Sequence, residues 1–151
     1  MMRVGLCLAA AGLLLSGCAT GGPMGKEVLA GNLAPKKSRL VIYRTSPFGF
    51  AVQPHYSIDG KAVGSSTPDG FVVCHLDPGA HQVAVGNFEL NVSLGGGTDK
   101  VSVTLRPGQT AYLKAEPQMG LTVGVITLSE VTENQGKADT ASLHKLESSC
   151  T

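Results

Sequence analysis

Four cysteines and four histidines are the side chains in this 151-residue sequence with the widest chemistry. Their spacing decides how much of that chemistry is open to them. No Cys-x-x-Cys, His-Glu-x-x-His or nucleophile-elbow string accompanies His55, His75, His81 and His144, and the hairpin register expected for His75 and His81 sets these two on opposite faces, although a loop one residue longer or shorter would bring them together. His81 follows a proline-glycine turn, a place where an imidazole bonds to backbone more readily than to a metal. The carboxylates are scattered over turns and strand ends, as solvated turn formers are. No catalytic residue, metal ligand or cofactor is therefore assigned.

The cysteines say more. Met1-Met2-Arg3 is a short positive start, and Val4 to Leu15 is an apolar and small-residue run. That run is shorter than the roughly 20 residues needed to cross a bilayer, so it reads as a secretory signal. It ends in Leu15-Ser16-Gly17-Cys18, which resembles the lipobox of bacterial lipoproteins. The resemblance implies cleavage before Cys18, diacylglycerol on its thiol and an acylated amino end. Residues 1–17 are then a cleaved signal peptide. Each buried methylene contributes about 0.8 kcal/mol, so two or three acyl chains hold essentially permanently. Ala19 rather than aspartate after the cysteine favours the outer membrane, facing the periplasm, over the inner membrane. Cys7 leaves with the signal. Cys74 and Cys150 remain in an oxidising compartment and are expected to form a disulfide. The alternative is a buried free thiol at Cys74 and an exposed one at Cys150.

Charge excludes one class of partner. The whole chain carries 12 Lys+Arg against 11 Asp+Glu, and loss of Arg3 with the signal balances them. A near-neutral protein lacks the electrostatic footprint of nucleic-acid binding. Residues 18–37 hold glycines, two prolines and no sustained period, and are expected to be a lipidated flexible tether.

From Ser38 the texture is that of strands. "SRLVIYR" alternates, and "HYSIDGKAVG" carries the Asp59-Gly60 pair of a tight hairpin turn. "GFVVCHLDPGAHQVAVG" reads as a second hairpin. Its register would put Val72, Cys74, Leu76, Val83 and Val85 on one core face and His75 on the other. "VSVTLRPGQTAYLKAE" reads as a third hairpin, with the proline and glycine of a type II turn, and "LTVGVITLSEV" as a closing strand buried on both faces. A short helix is expected between Lys137 and Glu147, with Ala138, Ala141 and Leu146 toward the sheet. The expected fold is all-β: a small antiparallel β-sandwich of the immunoglobulin or transthyretin kind over 38–132, then a tail at 133–151 with a short helix.

The folded region also resembles a family of small bacterial lipoproteins catalogued as a domain of unknown function. "RLVIYR", "YSIDGKAVG", "GFVVCHLDPGAHQVAV", "RPGQTAYLKA" and "ITLSEVTENQGKADTASL" carry the resemblance, in that order. It implies a β-sandwich envelope lipoprotein with no catalytic residue to carry over. The chain is poorer in aromatics than that family. The expected function is a non-catalytic, lipid-anchored module for an envelope protein or glycan partner. A small-ligand-binding or stress-related lipoprotein is the alternative, and an enzyme ranks third.

Overall fold

The computed structural model describes residues 21–48, 53–86, 99–118 and 125–150. Strand propensity concentrates in β-branched and aromatic residues, and the described residues form nine strands: β1 (Ser38–Arg44), β2 (His55–Ile58), β3 (Lys61–Ser65), β4 (Gly70–Leu76), β5 (Gly79–Gly86), β6 (Asp99–Leu105), β7 (Thr110–Gln118), β8 (Val125–Val131) and β9 (His144–Lys145). The described residues also form two short helices, α1 (Gly25–Val28) and α2 (Glu133–Thr140).

The strands make a two-sheet sandwich. One sheet runs β8-β7-β1-β4-β9 and the other β3-β2-β5-β6. The second is antiparallel throughout. The first is mixed, because β1 lies parallel to β7 and β4 parallel to β9. β1 is buried along its whole length. Its Leu40 and Ile42 face the inter-sheet core with Val72, Cys74, Val83, Val85 and Leu113. Its Val41 and Tyr43 join Phe71, Tyr112 and Leu143 in a second cluster on the outer face, where Val28 and Leu29 pack.

The Asp59-Gly60 hairpin forms as expected, with φ of 50° and 81° at its two central residues. The other two expected hairpins are instead arches between sheets. β4 pairs with β1 and β9, while β5 pairs with β2 and β6. Val72 and Cys74 thus meet Val83 and Val85 across the core, not side by side. The β6–β7 connection does hold a type II turn: Gly108 has φ 76° and the Gln109 amide donates to the Arg106 carbonyl at 3.0 Å. Its two strands still belong to different sheets. The in-plane partner of β7 is β8. β8 ends its sheet and buries one face, with Ile126 and Leu128 inward and Ser129 and Glu130 exposed, so the expectation of two buried faces is corrected.

Two further boundaries move. The expected tether is, from Gly21 onward, part of the body. The Gly25 amide donates to the Leu143 carbonyl at 2.9 Å, and Arg39 donates to the carbonyls of Leu29 and Gly31 at 2.9 and 2.8 Å. The C-terminal helix starts earlier than expected, because the Thr132 hydroxyl caps it by accepting the Gln135 amide at 3.3 Å. Its buried residues are Gly136 and Thr140; Ala138 is exposed.

Candidate functional site

Cys18 lies outside the described residues, so the anchor is approached through the segment that comes after it. Gly21 and Gly22 run beside β9: His144 Nδ1 donates to the Gly22 carbonyl at 2.9 Å, and the Lys145 amide to Pro23 at 2.9 Å. Beyond β9 the chain becomes a strap along the seam of the sandwich. The Leu146 amide donates to Phe71 of β4 at 2.8 Å, and the Ser149 amide and hydroxyl donate to Val63 and Ala62 of β3 at 3.1 and 2.8 Å. Both sheets are thereby covered at one margin, a common protection for strand edges. Cys150 ends the strap at disulfide distance from Cys74, with Cα atoms 5.1 Å apart. Cys74 is fully buried.

The histidines do not converge. His55 Nδ1 lies 3.2 Å from the Ser65 hydroxyl, and His75 Nε2 accepts from Arg39 Nε at 3.4 Å. Partial burial, then the Arg39 and Lys145 charges, hold the His75 ring below the usual histidine range. His81 sits on the β5 sheet, away from His75, and does bond to backbone: its Nε2 donates to the Asp77 carbonyl at 2.9 Å. Its Nδ1 meets Asp59 Oδ2 at 2.7 Å. Burial works against the charged ring, but the Asp59 carboxylate and the Asp77 carbonyl outweigh it and raise His81. The His81 bond, then the Gln82 amide, lower Asp59. This pair ties the β2–β3 turn to the β4–β5 arch, a structural role. Among the described residues, no three of His, Cys, Asp or Glu gather closely enough to hold a metal ion.

A third cluster has no motif to announce it in the sequence. The Arg44 side chain is fully buried at the end of β1, and its guanidinium donates to the carbonyls of Ser46, Phe48 and Ser66. Tyr56 donates to the Ser66 hydroxyl at 2.9 Å, and burial pushes its phenol up to about 12. An arginine closing an otherwise apolar strand string is the one available signal. The group organises the chain after β1 and leaves Phe48 as the exposed large apolar side chain of the described residues, 55% accessible.

Two open depressions are lined by described residues. One, about 500 Å³, is lined by Gly22, Pro23 and Lys145–Ser148. The other, about 410 Å³, lies between α1 and α2.

The class defined by these features is a two-sheet β-sandwich with a cysteine-pinned C-terminal strap. The chain is 33% identical over 132 residues to an uncharacterized protein of Haemophilus influenzae, across 83% of this chain and 73% of the other, and it belongs to that protein's family. No family model matches the chain.

Proposed function

We propose that the protein is a non-catalytic, lipid-anchored component of the bacterial cell envelope that serves as a binding or structural module for an envelope protein or glycan. The observation that carries this reading is Leu15-Ser16-Gly17-Cys18 directly after a signal-length apolar run. The Cys74–Cys150 pair supports it, because structural disulfides persist in oxidising compartments. The open form of the depressions favours a macromolecular partner over an enclosed small ligand. β6, which ends its sheet and exposes Lys100, Ser102 and Thr104, is the kind of edge an extended partner segment can extend. The proposed setting is the periplasmic face of the outer membrane, and the resemblance to small envelope lipoproteins belongs to the same proposal.

Metabolic labelling with a fatty acid tests the anchor. The wild-type chain is expected to incorporate label and to fractionate with membranes; Cys18→Ser is expected to lose both. An unlabelled wild-type chain that keeps its leader overturns the reading. Crosslinking in intact cells then tests the partner: recovery of only self-crosslinks together with a co-purifying small molecule favours the ligand-binding alternative.

A further inference from the structure

The strap after β9 is held unevenly along its length. At its start the Leu146 amide donates to the Phe71 carbonyl at 2.8 Å. The Leu146 side chain also lies over Gly70, where an added Cβ would stand 2.7 Å from Leu146 Cδ1. Past Leu146 the ties are lighter. The Ser148 hydroxyl donates to Val73 at 3.3 Å, the Ser149 amide to Val63 at 3.1 Å and the Ser149 hydroxyl to Ala62 at 2.8 Å. Glu147 and Ser149 are exposed, so water competes for these bonds.

The two sulfurs that close the strap have unlike surroundings. Cys74 is fully buried in the inter-sheet core, whereas Cys150 is partly buried and packs against that core. A nucleophile from solvent therefore meets Cys150 first. Apolar burial favours a neutral thiol, so a released Cys74 stays protonated and is slow to attack the strap again. The same burial makes Cys74 a slow leaving group, which calls for a dithiol that completes the exchange. The strands keep their partners without the cross-link. β4 pairs with β1 from Ser38↔Leu76 to Arg44↔Gly70, and β3 pairs with β2 from His55↔Ser65 to Ile58↔Lys61.

We propose that Cys74–Cys150 is an exchangeable latch, opened by a dithiol of the Cys-x-x-Cys class, that swings residues 147–150 about Leu146 and off the β3 edge while the sandwich stays folded. One thiolate of the dithiol attacks Cys150 Sγ. The Cys74–Cys150 bond breaks, and Cys74 Sγ takes the electron pair and a proton from water. The second thiolate then attacks its neighbour's sulfur in the mixed disulfide, and Cys150 leaves and is protonated. Two electrons pass to the protein and the dithiol departs as a disulfide; a disulfide of the same class reverses the steps and closes the latch. β3 ends its sheet, so opening strips the Ala62 and Val63 carbonyls of the strap's donors at that edge. Cys18 takes no part in this cycle, and the latch stands or falls apart from the proposed anchor.

Full-length oxidised protein, incubated natively with dithiothreitol and followed by residue-resolved hydrogen exchange, tests the latch. Exchange at the Ser149 amide is expected to rise about tenfold or more, while the Leu146 and β1 amides stay protected and reoxidation restores Ser149. Cys150→Ser is expected to show the open-form exchange with no dithiol present and no response to one. A thioredoxin whose second active-site cysteine is serine is expected to be trapped on the Cys150 peptide. Trapping on the Cys74 peptide overturns the exchange step. Resistance to the dithiol short of denaturation makes the cross-link an inert staple and overturns the proposal. So does loss of β1 protection on reduction, which means that the cross-link holds the whole sandwich. Unchanged Ser149 exchange in the reduced protein overturns it as well, because the strap then docks without its tie.

Discussion

The Asp59 carboxylate accepts twice, from His81 at 2.7 Å and from the Gln82 amide at 2.9 Å. Its lowered ionisation contributes stability above the unfolded aspartate value and loses it as pH falls through the folded value. His81 is raised, so its contribution is complete below the unfolded histidine value and disappears as pH rises through the folded one. Both are present together between about pH 4 and 6.5. Asp59 is half exposed, which limits the pair to about 0.5–1 kcal/mol after solvent screening. Asp59→Asn is expected to remove that increment in mildly acidic buffer, with a smaller effect well outside the window; urea midpoints across pH measure it, and a pH-independent difference sinks the assignment. The turn itself was legible in the sequence because positive φ at two residues is a local demand. Gly136 shows the opposite case. A Cβ there would run into the Tyr112 ring, so Gly136→Ala is expected to cost about 1–3 kcal/mol although alanine is the better helix former. A gain in stability would show that α2 does not press on β7.

Elements were legible one by one, and their pairing was not. Alternation and proline-glycine turns specify a strand, a reversal and another strand in "GFVVCHLDPGAHQVAVG" and in "VSVTLRPGQTAYLKAE". They do not say whether the second strand lies beside the first or across the core from it. In both cases the core-facing residues are the same, which is why the expected face of Val72, Cys74, Val83 and Val85 is correct while the hairpin is not. What excludes the hairpin is occupancy: β1 and β9 already flank β4. The strap was legible only through its cysteine. A link between positions separated by 76 residues restricts the unfolded chain strongly, and its loss costs about 2–4 kcal/mol in comparable cases. Cys150→Ser tests this more cleanly than Cys74→Ser, which would also place a hydroxyl in the core. It is expected to lower the denaturation midpoint by an amount in that range and to open 147–150 to proteolysis. Two free thiols in the unreduced native protein would remove the basis for the prediction.

At the scale of the molecule, the largest departure from the sequence reading is where the body begins. Composition separates 18–37 from the strands after it, since glycine, proline and small residues dominate and no hydrophobic period is sustained. Composition is blind to backbone docking, and backbone is how this segment is held: Gly25 fits against the Thr140 carbonyl because it has no Cβ, and Leu29 and Gly31 offer only carbonyls to Arg39. Val28 and Leu29 add partly buried apolar surface over the outer cluster of Val41, Tyr43, Phe71 and Tyr112, about 1 kcal/mol each at partial burial. A chain starting at Ser38 loses these contacts and the caps on Arg39 and uncovers part of that cluster. It is expected to be less stable than a chain starting at Gly21 by about 3 kcal/mol, and to self-associate through the exposed face. Denaturant midpoints and size-exclusion profiles of the two chains decide the matter. Matching midpoints and profiles would make residues 21–37 a passenger after all and restore a long tether.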